Sequence, residues 1–244
     1  MYRSKRVALV IPARNEARAL PGVFRTVPFE VDRILIVDNG SSDDTARVAE
    51  EHGAEVVSEP IAGYGRACLA GLAALAAEPP DIVAFGDADG SDDLSRLFEL
   101  LDPLVDEEVE LALAMRIPIE AGALNFQQRF GNWLTTRLIR LFWNHDYRDL
   151  GPMRAITWEG LEKLEMSDQS FGWTVEMQVR ALQMGLRAKE FPVSYLRRKA
   201  GRSKVSGTLA GSFRAGVKIL WVIGREVLRE KRLFPKVIRT GQTI

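Results

Sequence analysis

Residues 34–52, ILIVDNGSSDDTARVAEEH, run from a short apolar segment into a turn of Asp, Asn, Gly and Ser, then into a helical pattern. An apolar strand, a polar turn and a helix make one unit of an α/β fold. The same order recurs on both sides. Upstream, Val7–Ile11 is followed by Pro12, Ala13, Arg14, Asn15 and Glu16, then by a helical pattern over Ala17–Thr26. Downstream, Ile82–Phe85 is followed by residues 86–93, GDADGSDD, and a helix over Asp93–Leu101. Glu55–Ser58 and Leu111–Met115 add two strands, and Gly65–Ala77 another helix. Ser42 or Asp43 is expected to cap the helix ending at His52, and Asp92 the helix over Asp93–Leu101. Strands and helices alternating at this spacing predict a mostly parallel sheet with helices on both faces. Ligands of such sheets bind beyond the carboxyl ends of the strands, where all three polar clusters fall. Any one cluster reads equally well as a cap or turn. Three of them at three strand ends point to a site.

The second half departs from this alternation. Gln127–Phe142 reads as a long helix, Met153–Ile156 as a short strand, Thr174–Met184 as a helix and Arg187–Leu196 as a strand. The expected organisation is one α/β domain over residues 1–206 carrying a C-terminal amphipathic helix and tail over 207–244. In that helix Leu209, Phe213, Val217, Leu220, Gly224 and Leu228 make an apolar stripe, and Arg214, Lys218, Arg225 and Arg229 lie on another face. Two readings stay open. The stripe packs on its own domain with the charges solvated, or the helix lies on an anionic membrane.

Composition narrows the classes. The 244 residues are 46% apolar and 27% charged, as in globular proteins and against disorder. A net charge of zero argues against a nucleic-acid partner. That zero conceals segregation: residues 38–110 hold 19 acids and 3 bases, whereas 197–239 hold 13 bases and 2 acids. The single Cys68 permits no internal disulfide and fits a reducing cytoplasm. The apolar run Val7–Ala13 leads into Arg14, Asn15 and Glu16, which is not a signal-peptide cleavage site, and no stretch has the length of a membrane span. The expected location is therefore cytoplasmic, with peripheral contact on the inner face of the cell membrane under the second reading of the terminal helix.

Asp87 and Asp89 have a specific chemical use. Two carboxylates on one loop can share a divalent cation and leave coordination positions for diphosphate oxygens. A calcium loop counted from Asp87 fails, since Asp92 stands where Gly is required and Phe98 where Glu is required. The segment 63–68, GYGRAC, lacks the third small residue of a dinucleotide fingerprint and follows the third strand. No HExxH, GxSxG or Walker loop occurs, and His52 and His145 are too few for a metal cluster.

The set IPARNE (11–16), VDNGSSDDT (37–45) and Asp87-Ala88-Asp89 resembles the family-two glycosyltransferases with a GT-A fold, and within them the dolichyl- and polyprenyl-phosphate sugar transferases. The likeness continues through EPIAGYG (59–65), RFGN (129–132), DLGPMR (149–154), GWTVE (172–176) and GRSK (201–204). It implies an inverting, metal-dependent transfer of a hexose from a UDP- or GDP-linked donor to a polyprenyl phosphate. It implies that Pro12, Ala13, Asn15, Glu16 and Asp38 line the nucleoside pocket, with Gly40, Gly65 and Ala88 in the donor site. By the same likeness Asp87 and Asp89 hold Mg²⁺ or Mn²⁺, Arg116 and Arg129 face the acceptor phosphate, and Arg202 and Lys204 close over the donor phosphates. Where relatives carry Gln or His two residues after the second Asp, this chain has Ser91, which leaves Asp92 or water to assist the metal.

A hydroxyl acceptor requires a general base and a phosphate acceptor does not. Asp149 and Glu176 are the candidate catalytic bases; each also reads as structural, Asp149 holding the loop to Gly151 and Glu176 sitting in a helix's first turn. Arg116 and Arg129 read alternatively as partners of the acidic region. Two competitors remain: a nucleotidyltransferase, which is expected to carry a Gly-rich basic loop after the first strand, and a non-enzymatic membrane-surface binding module.

Overall fold

The computed structural model describes residues 1–199 and 209–233, with the side chains of the last helix described over 216–230. The strands β1 (Val7–Ala13), β2 (Arg33–Asp38), β3 (Glu55–Ser58), β4 (Ile82–Phe85), β5 (Leu111–Pro118), β6 (Arg154–Thr157) and β7 (Ala188–Tyr195) form one sheet, in the order β3-β2-β1-β4-β6-β5-β7. Only β6 runs antiparallel to its neighbours. The near-continuous apolar runs follow from the covering of both faces. In β1, Ala8 and Val10 enter one apolar cluster while Leu9 and Ile11 enter the other, as alternation across a strand requires.

The helices are α1 (Leu20–Phe24), α2 (Thr45–Glu51), α3 (Tyr64–Leu75), α4 (Phe98–Val105), α5 (Phe126–Trp143), α6 (Trp158–Leu164), α7 (Trp173–Gln183) and α8 (Leu209–Leu233). α5 starts on a reciprocal capping box, with Gln128 N donating to Asn125 Oδ1 at 2.9 Å and Asn125 N to Gln128 Oε1 at 3.0 Å. α6 was not anticipated; Thr157 caps it by accepting from Gly160 N at 3.1 Å. The expected capping by Asp92 is corrected too. A short 3₁₀ turn, Leu94–Arg96, precedes α4, and Asp92 turns back to accept from Asp87 N at 2.8 Å. Likewise Asp44 occupies the N-cap position of α2, and Asp43 Oδ1 accepts from Thr45 N at 3.1 Å.

The helix α8 reverses the simpler reading of its two faces. Val222 and Ile223 enter the core, whereas Val217, Leu220, Trp221 and Leu228 stay exposed. The basic residues face the domain: Lys218 pairs with Asp168 at 2.8 Å, Arg225 with Glu176, and Arg229 with Glu165 at 2.7 Å. The reason is electrostatic. Asp168, Glu176 and Glu226 have wholly buried side chains, and a buried carboxylate without a counter-ion costs several kcal/mol. Arg180 completes the cluster, 2.9 Å from Glu176 and 3.4 Å from Glu226. Leu209, Phe213 and Arg214 have side chains outside the described residues. Among the described residues no helix is long and apolar enough to cross a membrane.

Candidate active site

Parallel pairing brings the first two polar clusters together. Pro12 lies opposite Val37 and Ala13 opposite Asp38, and Asn39 N donates to Ala13 O at 2.8 Å. Asn15 has φ +53°, a left-handed conformation that Asn tolerates better than most residues. Its amide N donates to Ser41 Oγ at 2.9 Å and its Oδ1 accepts from Ser42 N at 2.7 Å. Glu16 N donates to Thr45 Oγ1 at 2.9 Å. Asp38, half-buried at the end of β2, accepts from Ser41 N at 3.1 Å. Gly40, at φ +70°, makes the turn that passes beneath Pro60.

Asn39 escaped the sequence reading. Its amide nitrogen donates to the carbonyls of Glu59 and Ile61, and its Oδ1 accepts from Gly63 N at 2.7 Å, tying the β2 end to the start of α3. Gly65 packs so closely that a Cβ there would lie 2.0 Å from Asp168 O. It therefore lets the start of α3 lie directly against the backbone of Asp168 and Gln169.

The third cluster lies on the loop after β4, where β1 and β4 run in register up to Val10 and Phe85. Ala88, Asp89, Ser91 and Asp92 are all buried. Burial, with Asp92 and Asp89 close by, pushes the Asp87 carboxyl well above the usual carboxylate range. Burial and Asp89 likewise push Asp92 up to about 7. Asp87 and Asp92, both pushed up by burial and by the neighbouring Asp89 carboxylate, mark a loop that calls for positive charge. Among the described residues no three Asp, Glu, His or Cys side chains form a complete metal cage. Asp87 and Asp89 are two carboxylates on this loop, and a cation held by them would take its other ligands from phosphate and water, as Mg²⁺ commonly does. The residues fit such an ion. Ser91 N and Oγ both donate to Asp89 Oδ1, at 2.8 and 2.5 Å, so Ser91 orients the carboxylate. Arg198, also unread in the sequence, lies 2.7 Å from the other oxygen of Asp89. The basic run at 197–199, directly after the last strand on the ligand rim, was the available signal.

β5 and β7 carry the rest. Arg116 holds Asp149 in a fork, Nε to Oδ2 and Nη2 to Oδ1 at 2.7 Å each, and its backbone N adds a third bond at 2.9 Å. A substrate hydroxyl would have to break that pair to use Asp149 as a base. Glu176 is harder still to reach. It is wholly buried and accepts from Ser167, Asp168 N, Arg180 and Arg225. The geometry gives both acids structural work.

A groove of about 580 Å³ opens at Asp87, Arg116 and Tyr64 and runs between α5 and α8. Its walls are mostly apolar, with Phe130, Leu134, Leu150, Val175, Ile219 and Leu220 among them. Arg129 is not among the residues that line the groove. It is exposed on α5, while its neighbours Gln127, Gln128 and Asn132 line the groove. Arg202 and Lys204 lie outside the described residues.

Comparison with known proteins follows the same lines. Residues 8–163 match the family described as Glycosyl transferase family 2. An uncharacterised glycosyltransferase of Mycobacterium tuberculosis is 42% identical over 206 residues, 84% of this chain and 92% of that protein. The undecaprenyl-phosphate mannosyltransferase of Micrococcus luteus is 27% identical over 221 residues, 84% of this chain and 90% of that one. Among solved structures, the glucosyl-3-phosphoglycerate synthase of M. tuberculosis, in complex with Mn²⁺, UDP and glucosyl-3-phosphoglycerate, superposes with a TM-score of 0.73. It is 21% identical, over 92% of this chain and 81% of its own.

Proposed function

The chain belongs to glycosyl transferase family 2 and has the GT-A fold, and from that premise we propose that it moves a hexosyl group from a UDP- or GDP-linked donor to a polyprenyl phosphate at a membrane surface. The observation that carries the acceptor is the groove between α5 and α8. It joins an apolar trough to the charged loop end at Asp87 and Arg116, the shape a lipid with a phosphate head requires. The similarity to an undecaprenyl-phosphate mannosyltransferase supports the same reading.

The nucleoside lies along Pro12, Ala13, Asn15, Glu16 and Asp38, with Gly40, Gly65 and Ala88 keeping the backbone close. Asp87 and Asp89 would hold Mg²⁺ or Mn²⁺, which when bound neutralises charge on the leaving diphosphate. Arg116, locked by Asp149, places positive charge beside the acceptor phosphate. An oxygen of that phosphate attacks the anomeric carbon from the side opposite the leaving group. The bond from that carbon to the diphosphate oxygen breaks, the electron pair departs with the nucleoside diphosphate, and the configuration inverts. The acceptor is already an anion near neutral pH, so no proton has to be removed. This accounts for two candidate bases spent on ion pairs.

The exposed faces of α5 and α8 support the membrane setting. Phe126, Phe130, Trp133, Leu141 and Phe142 of α5 stand out beside Val217, Leu220, Trp221 and Leu228 of α8. Exposed Arg129 and Arg137 accompany them on α5, which carries no acid. An aromatic and basic face of this kind suits the headgroup region of an anionic bilayer.

The groove can be tested by filling it. Gly131 and Gly216 line it, and a Cβ at either meets nothing within 4 Å. Gly131→Leu with Gly216→Leu is expected to raise the KM for polyprenyl phosphate at least tenfold and leave metal-dependent UDP or GDP binding unchanged. An unchanged lipid KM counts against the groove as the acceptor channel.

A further inference from the structure

Asp89 does not wait for a metal with a free carboxylate. Oδ1 is taken by the N–H and O–H of Ser91. Oδ2, the oxygen left for a cation, lies 2.7 Å from Arg198 Nη2. The other arm of the same guanidinium, Nη1, donates to Glu16 Oε1 at 2.8 Å. One planar cation therefore bridges the first strand-end cluster to the third, across the place where the donor diphosphate belongs. The backbone beneath it is stitched to the metal loop. Leu196 N donates to Ser91 O at 2.8 Å, Lys199 N to Asp89 O at 3.1 Å, and Tyr195 bridges to Asp92.

We propose that Arg198 is a resident counter-cation that exchanges partners. It neutralises Asp89 and Glu16 before substrate arrives, yields Asp89 to the divalent cation, and swings onto the diphosphate of the donor. A divalent cation binds a carboxylate oxygen at about 2.0–2.1 Å, so it cannot share Asp89 Oδ2 with a guanidinium nitrogen without strong repulsion. The stitched backbone keeps the released side chain beside the loop, so the exchange needs rotation of one side chain and no unfolding. A guanidinium fork then matches two phosphoryl oxygens as well as it matched two carboxylates. The consequence is ordering: free metal binds poorly because it must evict Arg198 with nothing to receive it, whereas metal and diphosphate together supply both new partners. The idea rests on Asp87 and Asp89 forming the metal and diphosphate site.

The test measures binding, with Mn²⁺ as probe. Titrations followed by the free Mn²⁺ paramagnetic signal give the affinity for Mn²⁺ alone; calorimetry gives that for UDP and GDP at saturating Mn²⁺. In Arg198→Gln the two are expected to move in opposite directions. Mn²⁺ alone should bind about threefold to tenfold tighter, as loss of a competing ion pair allows. The better nucleoside diphosphate should bind at least about tenfold weaker, as loss of a charge-assisted bond implies. Arg198→Lys, which keeps the charge and loses the fork, should lie between and covers a folding failure of the first variant. If both affinities move together, or Mn²⁺ affinity is unchanged, the exchange is overturned while the site stands. If the wild-type chain binds neither nucleotide in a Mn²⁺-dependent way, the site itself falls and the exchange with it.

Discussion

Replacing Trp133 and Leu141 together by Ser removes two exposed apolar groups of α5 that do not line the groove, so it probes membrane contact apart from acceptor binding. Trp133 is 53% exposed and Leu141 72%. A Trp side chain offers roughly 250 Å², so its exposed half represents about 130 Å², or ~3 kcal/mol at 25 cal/mol per Å² if wholly transferred to hydrocarbon. The exposed part of Leu141 adds about 1.5–2 kcal/mol on the same scale. Side chains in the headgroup region lose about half of their water contact, which leaves on the order of 2.5 kcal/mol for the pair. Partitioning onto anionic vesicles, measured by co-sedimentation, should therefore fall between tenfold and a hundredfold, with thermal melting unchanged. The matched control is Lys218→Gln with Arg225→Gln. Those bases neutralise buried Asp168 and Glu176, so the control should lower the melting temperature and spare vesicle affinity in the protein that remains folded. If the double Ser variant sediments like wild type, or the control loses vesicles while staying folded, the assignment of the two helix faces is wrong.

The structural role of Glu176 predicts that Glu176→Gln, which leaves Arg180 and Arg225 short of a counter-charge, costs about 3–5 kcal/mol in urea unfolding. Unchanged stability with lost turnover would restore it as a base. Gly65→Ala should destabilise by about 1–3 kcal/mol and weaken nucleotide binding, because its Cβ would strike Asp168 O, whereas Gly131→Ala on an open helix surface should stabilise by several tenths of a kcal/mol to about 1. A normal melting curve for Gly65→Ala would show that the α3 start can shift. Arg116→Lys keeps the charge but loses the fork on Asp149; steady-state kinetics should show at least a tenfold higher KM for the lipid phosphate with nucleotide affinity unchanged. An unchanged KM would remove Arg116 from the acceptor site.

The nucleotide half was readable because its signals are local. The strands β1, β2 and β4 are short, largely buried apolar runs, and the rule that ligands gather at strand ends turns the three polar turns after them into one rim. The second half resisted for a different reason. The basic and apolar stripes of α8 are equally visible in the sequence, but which one faces inward depends on Asp168, Glu176 and Glu226. These acids become buried neighbours only when α7 and the loop before it pack on α8. Asp92 looked like a helix cap because its neighbours are helix-like; its bond to Asp87 N closes a loop instead. Arg198 sat in a basic run that reads as solvated surface until Glu16, 182 positions earlier, is folded beside it. α6 is a seven-residue helix with little apolar periodicity, set by its Thr157 cap.

The most direct test is a transfer assay with the purified chain, Mn²⁺ or Mg²⁺, labelled UDP- and GDP-hexoses, and polyprenyl phosphate beside the matching polyprenol and a water-soluble sugar. Label is expected in the polyprenyl phosphate product from one of the donors, none in polyprenol or the soluble sugar, and none after chelation or in Asp89→Ala. Transfer to the polyprenol or the soluble sugar in preference to the lipid phosphate would contradict the proposed reaction.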